Sequence, residues 1–474
     1  MNSTSLLRQP SRSIAAALAE FTQGLKPADL PEAVWTKSVH HIIDAIGLAF
    51  ASRNFPFAGP GIAGIRAAGS AGECTVIGGG RILASRDAAL ANGYLIHGLD
   101  FDDTHPSSIV HPTVACLPAA LAVGEARGAT WGELIAAYAA GMETCIRLGQ
   151  AVNGGFHHVG FHATGVVSHF SAAIVAGKLM GLSVDQLVAA QGIAASTASG
   201  VQVFLEDGAW TKRMHPGWGA MAGITAAHMA QSGFAGPLRP YEGKFGLFET
   251  HLQNHVDRVD AESILEGLDG PGRRWSLLQT AIKPYPVCHF IHGCAEAALQ
   301  LREVMRQEVG DLGRIERIRC ELPEPTLHIV AEPAAAKRIP RNDYEAKFSA
   351  QFVVAACLLR GQFTLAELSD DSLADPAILA LAAKVDCVAE VGTSFPKYFS
   401  GAVSVRLSDG TELARRVPMN LGSGERALSL ADIEAKFRGN AGIGLSAERV
   451  DAVLRALLSA TPDTPVRSIT QALA

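Results

Sequence analysis

Between His97 and Pro118 the chain reads HGLDFDDTHPSSIVHPTVACLP. Asp100, Asp102 and Asp103 stand among His97, His105 and His111, with Thr104, Ser107 and Ser108 between them. The stretches on either side are apolar, helix-forming and almost free of charge. Carboxylates and imidazoles are costly to bury unless they are paired, so a polar knot in such surroundings points to a site rather than to packing. The chemistry it offers is proton transfer. An imidazole can take or give a proton near neutral pH, and a carboxylate beside it can orient the ring.

Three further stretches carry groups that would complement this knot. GAWTKRMHPGWGA (208–220) holds Lys212, Arg213 and His215 in what reads as a Gly/Pro/Trp-rich loop before a helix. KPYPVCHFIH (283–292) holds Lys283, Cys288, His289 and His292, and GFHHVGFHATG (155–165) holds His157, His158 and His162. Singly, each has an ordinary explanation: a solvated lysine, a histidine capping a helix, histidines bridging loop backbone. Together, imidazoles and carboxylates in one loop with lysines in two others suit a small anionic substrate held by its carboxylates. Two other readings compete. DFDD resembles loops that bind magnesium-diphosphate, but those need a second facing acidic cluster that the sequence does not show. A non-enzymatic helical scaffold would leave the polar loops without a purpose.

The elements that must position these residues follow from pattern. A chain of 474 residues with 48% hydrophobic and 18% charged residues has a large interior and more than one domain. The net charge of −6 leaves no basic stripe for nucleic acid, and an anionic substrate would need a local cationic pocket. The eight cysteines form no CxxC pair, which suits reduced thiols in a cytoplasmic protein and gives no zinc or iron–sulfur spacing. No metal is therefore expected. The N-terminal run is interrupted by Glu20 and reads as a helix rather than a signal peptide, and no stretch reads as a membrane span.

Apolar spacing predicts helices over 13–24, 31–52, 86–99, 114–126, 131–149, 164–181, 184–199 and 217–232, with a strand, glycine turn and return at 73–85. The texture changes near 275. Two prolines break helix in KPYPVCHF, a helix follows at 291–308, and 314–325 alternates as a half-buried strand. After a helix at 345–360, Asp409–Gly410 between alternating runs marks a hairpin over 401–418, and SLAD from Ser429 opens a last helical stretch. The fold class read from this is mainly α: a large helical domain from residues 1–278 and 416–474, with a smaller α+β domain of 279–415 inserted. The junction of two such domains is where a pocket is expected.

Taken as an ordered set, NGYLIHGLDFDDTH…HPT (92–113), GFHATG (160–165), TKRMHPGWGA (211–220), KPYP…H (283–292), KFSAQF (347–352) and VRLSDG (405–410) resemble the MmgE/PrpD family. That family includes 2-methylcitrate dehydratase, cis-aconitate decarboxylase and iminodisuccinate epimerase. The resemblance implies that the larger domain is all-helical and the smaller one its lid. It also implies a homodimer, no metal or organic cofactor, and a site containing Asp100, Thr104, His111, Lys212 and Lys283. It departs from the decarboxylase branch at one place, where Cys288 stands at the position of a histidine and His289 follows.

The expected activity is a cofactor-independent lyase that abstracts a proton next to a carboxylate of a small di- or tricarboxylate. Dehydration of a 2-methylcitrate-like hydroxy acid is the first choice, with iminodisuccinate-like epimerisation or cis-aconitate decarboxylation as alternatives. His111 would move the proton, oriented by Asp100, and Lys212 and Lys283 would stabilise the charge that develops. Thr104, His105, His162, Arg213, His215 and His289 would bind substrate.

Overall fold

The computed structural model describes residues 7–270, 272–308, 310 and 312–474. They divide into two compact units, one built from the chain up to Thr280 together with Ser429–Ala474, the other from Ala281–Leu428. The second unit therefore extends beyond the end of the hairpin at which the pattern placed its boundary. The reason is local. The loop after the hairpin is tied back into the unit, with the Leu421 N–H on Glu296 at 3.0 Å and Arg426 on the same carboxylate.

In the first unit the helices Ser85–His97, Pro112–Arg127, Trp131–Ala151, Ala163–Leu179 and Thr211–Gln231 pack against one another. Their facing surfaces are rich in alanine and glycine, which lets the axes come close. A Cβ on Gly93 would stand 2.5 Å from the Gly217 Cα, and one on Gly219 would stand 2.5 Å from the Ser168 Cβ. Glycine at these points seats Thr211–Gln231 on the helices that end at His97 and begin at Ala163. The returning helix Leu430–Ala441 lies along Glu32–Ser52 in the same way, with Phe437 over Gly47.

The unit is not all-helical, because the strand, glycine turn and return read at 73–85 are present. β1 (Ala71–Val76) and β2 (Gly80–Leu83) form an antiparallel hairpin at the glycine turn. A helix at Ala58–Ala68 was also not foreseen, because Gly59, Pro60 and Gly61 weaken its propensity and it buries little beyond Ala58. Among the described residues no helix is long and apolar enough to cross a membrane.

The second unit has a four-stranded sheet in the order β4–β3–β5–β6: Val385–Ala389, Ile315–Leu322, Gly401–Leu407 and Glu412–Val417. β3 runs parallel to β4 and antiparallel to β5, which makes a hairpin with β6. Ile318, Cys320 and Leu322 on β3, with Val403, Val405 and Leu407 on β5, meet the helices His292–Glu308 and Ala350–Arg360 in one apolar core. All eight cysteines are free thiols.

Candidate active site

The site in the first unit is assembled where helices start and stop. His97 ends Ser85–His97. His111 is the residue before Pro112–Arg127, whose leading proline is preset for a first helical turn. His162 holds the same place before Ala163–Leu179. Lys212 is the second residue of Thr211–Gln231. The expected loop at 208–216 is thus partly helix: Pro216 lies near enough to the start that only the Lys212 carbonyl loses its intrahelical donor. Three helix N-termini and one C-terminus meet here, and N-termini favour anions.

Between His97 and His111 the chain has to fold back on itself. Asp100 and Ile109 both take left-handed backbone, at φ 51° and 52°, an uncommon conformation that the surroundings must enforce. An isolated bridge between His105 and Val110 closes the return.

Each of the three aspartates has its own partner. Asp100 receives Lys212 Nζ at 2.6 Å. Asp102 receives His97 Nδ1 at 2.9 Å and faces His111 Nδ1 at 3.4 Å. Asp103 is paired with His41 Nδ1 at 2.6 Å and accepts the Thr113 hydroxyl, which also meets the Tyr138 hydroxyl. A fourth carboxylate, Asp44, holds Lys436 at 2.7 Å, and that lysine also donates to the Phe101 carbonyl. Burial is the main reason the Asp44 carboxyl is pushed up to about 6, and Lys436 limits the shift.

The pairs divide by role. Asp103 with His41, and Asp44 with Lys436, are buried struts that hold the loop. Asp100, Asp102, His97, His111 and Lys212 form a continuous polar array with His111 at its centre, its Nε2 3.6 Å from Asp100.

Around that array stands a group of neutral imidazoles. Burial, reinforced by the Lys212 charge, holds His162 well below its ordinary value and pushes His157 down to about 4. His215 is also lowered to about 4, by burial and then by His97 and Lys212. His162 and His215 face each other Nδ1 to Nδ1 at 3.1 Å, so one carries the proton and the other accepts it. Such a surface offers N–H donors to an anion.

The structure thus brings Asp100, His111, Lys212, His162 and His215 together. Thr104 is buried in the same loop, and its hydroxyl finds no hydrogen-bond partner among the described residues. Two expected binding residues lie elsewhere. His105 is fully buried, accepts the Ser108 N–H at 3.3 Å and reaches the Ser276 backbone, so it braces the loop. Arg213 lies flat over Phe57 with 4.1 Å to the ring centroid, because the helix turns it away from Lys212.

Lys283 and His289 belong to the second unit, where both are buried. There His289 Nε2 meets the Asn420 amide at 3.0 Å, its ring packs on His292 and Phe399, and Cys288 is half-buried. His97 and Asp102 were not singled out from the sequence as site residues, and neither was His41 as the partner of Asp103. The density of DFDD with the histidine five residues before Asp102 was the available signal.

Two trios have the donor types of a metal site. Ring nitrogens of His97, His111 and His162 lie within 4.8 Å of one another, and so do donor atoms of Asp100, Asp102 and His111. In the first, the His97 and His162 rings lie in planes only 17° apart, a poor arrangement for aiming two lone pairs at one ion. In the second, Lys212 already compensates Asp100. The geometry fits proton traffic better than a resident cation.

Residues 16–258 match the MmgE/PrpD N-terminal domain, and residues 285–460 match the MmgE/PrpD C-terminal domain. Similar curated proteins include the cis-aconitate decarboxylase-like protein oryM of Aspergillus oryzae, 27% identical over 95% of this chain and 95% of that protein. The cis-aconitate decarboxylase of Homo sapiens is 29% identical over 94% of this chain and 91% of its own length. The mitochondrial 2-methylcitrate dehydratase of Yarrowia lipolytica is 24% identical over 56% of this chain and 51% of its own.

Proposed function

This chain belongs to the MmgE/PrpD family and, with the decarboxylases and the dehydratase it is similar to, is a lyase; we propose that its substrate is a small di- or tricarboxylate and that His111 moves a proton next to one of the carboxylates. The observation that carries this is the array itself. One imidazole stands between two carboxylates, one of them neutralised by a buried lysine, at a point where three helices begin.

The preferred reaction is decarboxylation of a cis-aconitate-like substrate. Likeness over nearly the whole chain to decarboxylases supports it over the dehydration favoured by the sequence reading. When CO2 leaves the CH2 arm, the electron pair of the broken C–C bond forms a new double bond. The old double bond then passes its pair to the CH carbon beside the remaining terminal carboxylate, and that carbon takes a proton. Negative charge gathers on this carboxylate before the proton arrives. Lys212 would offset it, and water excluded from the array strengthens that effect. His111, protonated on Nε2, would deliver the proton.

Dehydration of a hydroxy acid is the second reading, and the unpartnered Thr104 hydroxyl supports it as a group able to hold a departing water. In dehydration His111 starts as the base and removes the proton. The two readings start from opposite protonation states of His111, the acid in decarboxylation and the base in dehydration. Supplying cis-aconitate, 2-methylcitrate and iminodisuccinate in turn, and following each by NMR, tests the choice.

Full activity after exhaustive chelation is expected. Inactivation by chelator with recovery on adding one divalent ion would instead favour the aspartate-rich loop as a metal site. We also propose a homodimer. Val201, Val203, Leu205, Trp210 and Trp218 lie within one short segment and are each 45–56% exposed, an apolar surface that a second copy would cover. A dimer is expected by sedimentation, and a monodisperse monomer at micromolar concentration would exclude it.

A further inference from the structure

The carboxylate that matters most to His111 is not the one that pairs with lysine. Asp102 is buried, and its two oxygens lie 3.1 and 2.9 Å from His97 Nδ1. Its Oδ1 also faces His111 Nδ1 at 3.4 Å, a contact that a small turn of the ring would close to a hydrogen bond once substrate is seated. The opposite nitrogen of His111 looks toward Asp100 at 3.6 Å.

Charge decides between the two carboxylates. Asp100 is compensated by Lys212 at 2.6 Å. Among the described residues the ion-pair partners of Asp102 are the two histidines, not a lysine or arginine. Burial alone would raise its carboxyl, but His97 and His111 outweigh that effect and hold it well below the usual carboxylate range. His97 itself is kept below its ordinary value by burial, against the pull of Asp102. A neutral His97 puts its one proton on Nδ1, where it donates to Asp102, and leaves the full negative charge of Asp102 facing His111. Among the described residues, the other charged or titratable groups facing His111 include His157 and His162, both held neutral, and Lys212 behind Asp100.

We propose that Asp102 is the positioning residue for His111: it fixes the proton on Nδ1, leaves Nε2 as the atom that exchanges a proton with substrate, and is itself held in place by His97. This deepens the reading of His111 as the proton carrier and rests on it. In this arrangement Asp102 stabilises the imidazolium without touching substrate, and Asp100 serves Lys212.

The test is Asp102→Asn in the full-length protein, with two readouts. An asparagine can turn its amide N–H toward His111 Nδ1, which moves the ring proton to Nε2 and takes the reactive lone pair away. With 15N-labelled histidine, and His111 assigned by the signal missing from His111→Gln, the neutral His111 ring of the wild type, read at alkaline pH, should show a protonated Nδ1 and a bare Nε2, the second proton of the imidazolium being the one that Nε2 gives up. The variant should show the reverse. Turnover of the variant should fall about 10²–10⁴-fold with KM little changed, and the pH limb belonging to His111 should move to lower pH.

Should Asp102→Asn fail to fold, Asp102→Glu keeps the charge and should retain the wild-type tautomer with partial turnover. A wild-type enzyme whose neutral His111 ring carries its one proton on Nε2, or an Asp102→Asn variant with unchanged tautomer and kcat, would overturn the proposal. The tautomer readout needs no turnover, so it separates a wrong assignment of Asp102 from a wrong assignment of the reaction.

Discussion

Replacing His111 with alanine is expected to lower turnover about 10²–10⁴-fold, the usual worth of a positioned acid or base, with substrate affinity close to that of the intact enzyme. The prediction is specific to the side chain. The His111 backbone N–H donates to the Thr164 hydroxyl at 3.1 Å, and this bond at the helix start survives the substitution. Asp102 keeps His97, and Asp100 keeps Lys212, so the neighbouring charges stay paired. The loss should therefore appear in kcat and not in KM. One limb of the pH profile should vanish with it. Near-normal turnover in His111→Ala would move the proton to another group, and Asp100 would be the next to test.

Lys212→Ala is expected to do more damage, of two kinds. The ammonium would meet a substrate carboxylate both before and during reaction, so KM should rise and kcat fall together. Its removal also takes from the buried Asp100 carboxylate the lysine that it holds at 2.6 Å. Breaking one half of a buried pair costs about 3–5 kcal/mol, so the variant should melt at a visibly lower temperature. The two effects separate in Asp100→Asn/Lys212→Met, which removes both charges. It should regain most of the stability and none of the activity. Lysine to arginine should not restore turnover, since a planar fork does not fit a pocket shaped for a compact ammonium. An active Lys212→Ala would show that the pair with Asp100 is structural only. Lys283→Ala, in the second unit, is expected to raise KM if that lysine also holds a carboxylate.

The parts of this protein legible in its sequence are those that short range decides. Period and caps place the helices that carry the site, and Ser183–Gln186 and Ser429–Asp432 form the capping boxes their spacing suggests. Asp409–Gly410 marks the β5–β6 turn, because its neighbours alternate cleanly. The DFDD knot announces itself by its cost of burial. What the sequence withholds is which carboxylate serves which cation. Lys212 lies 112 residues from Asp100, and Lys436 lies 335 residues from the Phe101 carbonyl it holds, so no local spacing encodes either contact.

That is why the sequence reading gave Asp100 the orienting role that we propose for Asp102. It is also why His105, within the same loop, was expected at the substrate, although its ring accepts the Ser108 N–H and reaches the Ser276 backbone. The helical start at Thr211 was hidden for another reason: Pro216 reads as a breaker, although so near an N-terminus it breaks only one bond.

The most direct test of His111 as proton carrier on a polycarboxylate is turnover of cis-aconitate in deuterated water, followed by proton NMR, with the wild type beside His111→Ala. The wild type should convert it to a five-carbon dicarboxylate carrying one deuterium on the carbon that received the proton, and His111→Ala should not. Cis-aconitate left unconsumed by the wild type, or equal deuterium incorporation by the two proteins, would contradict the account.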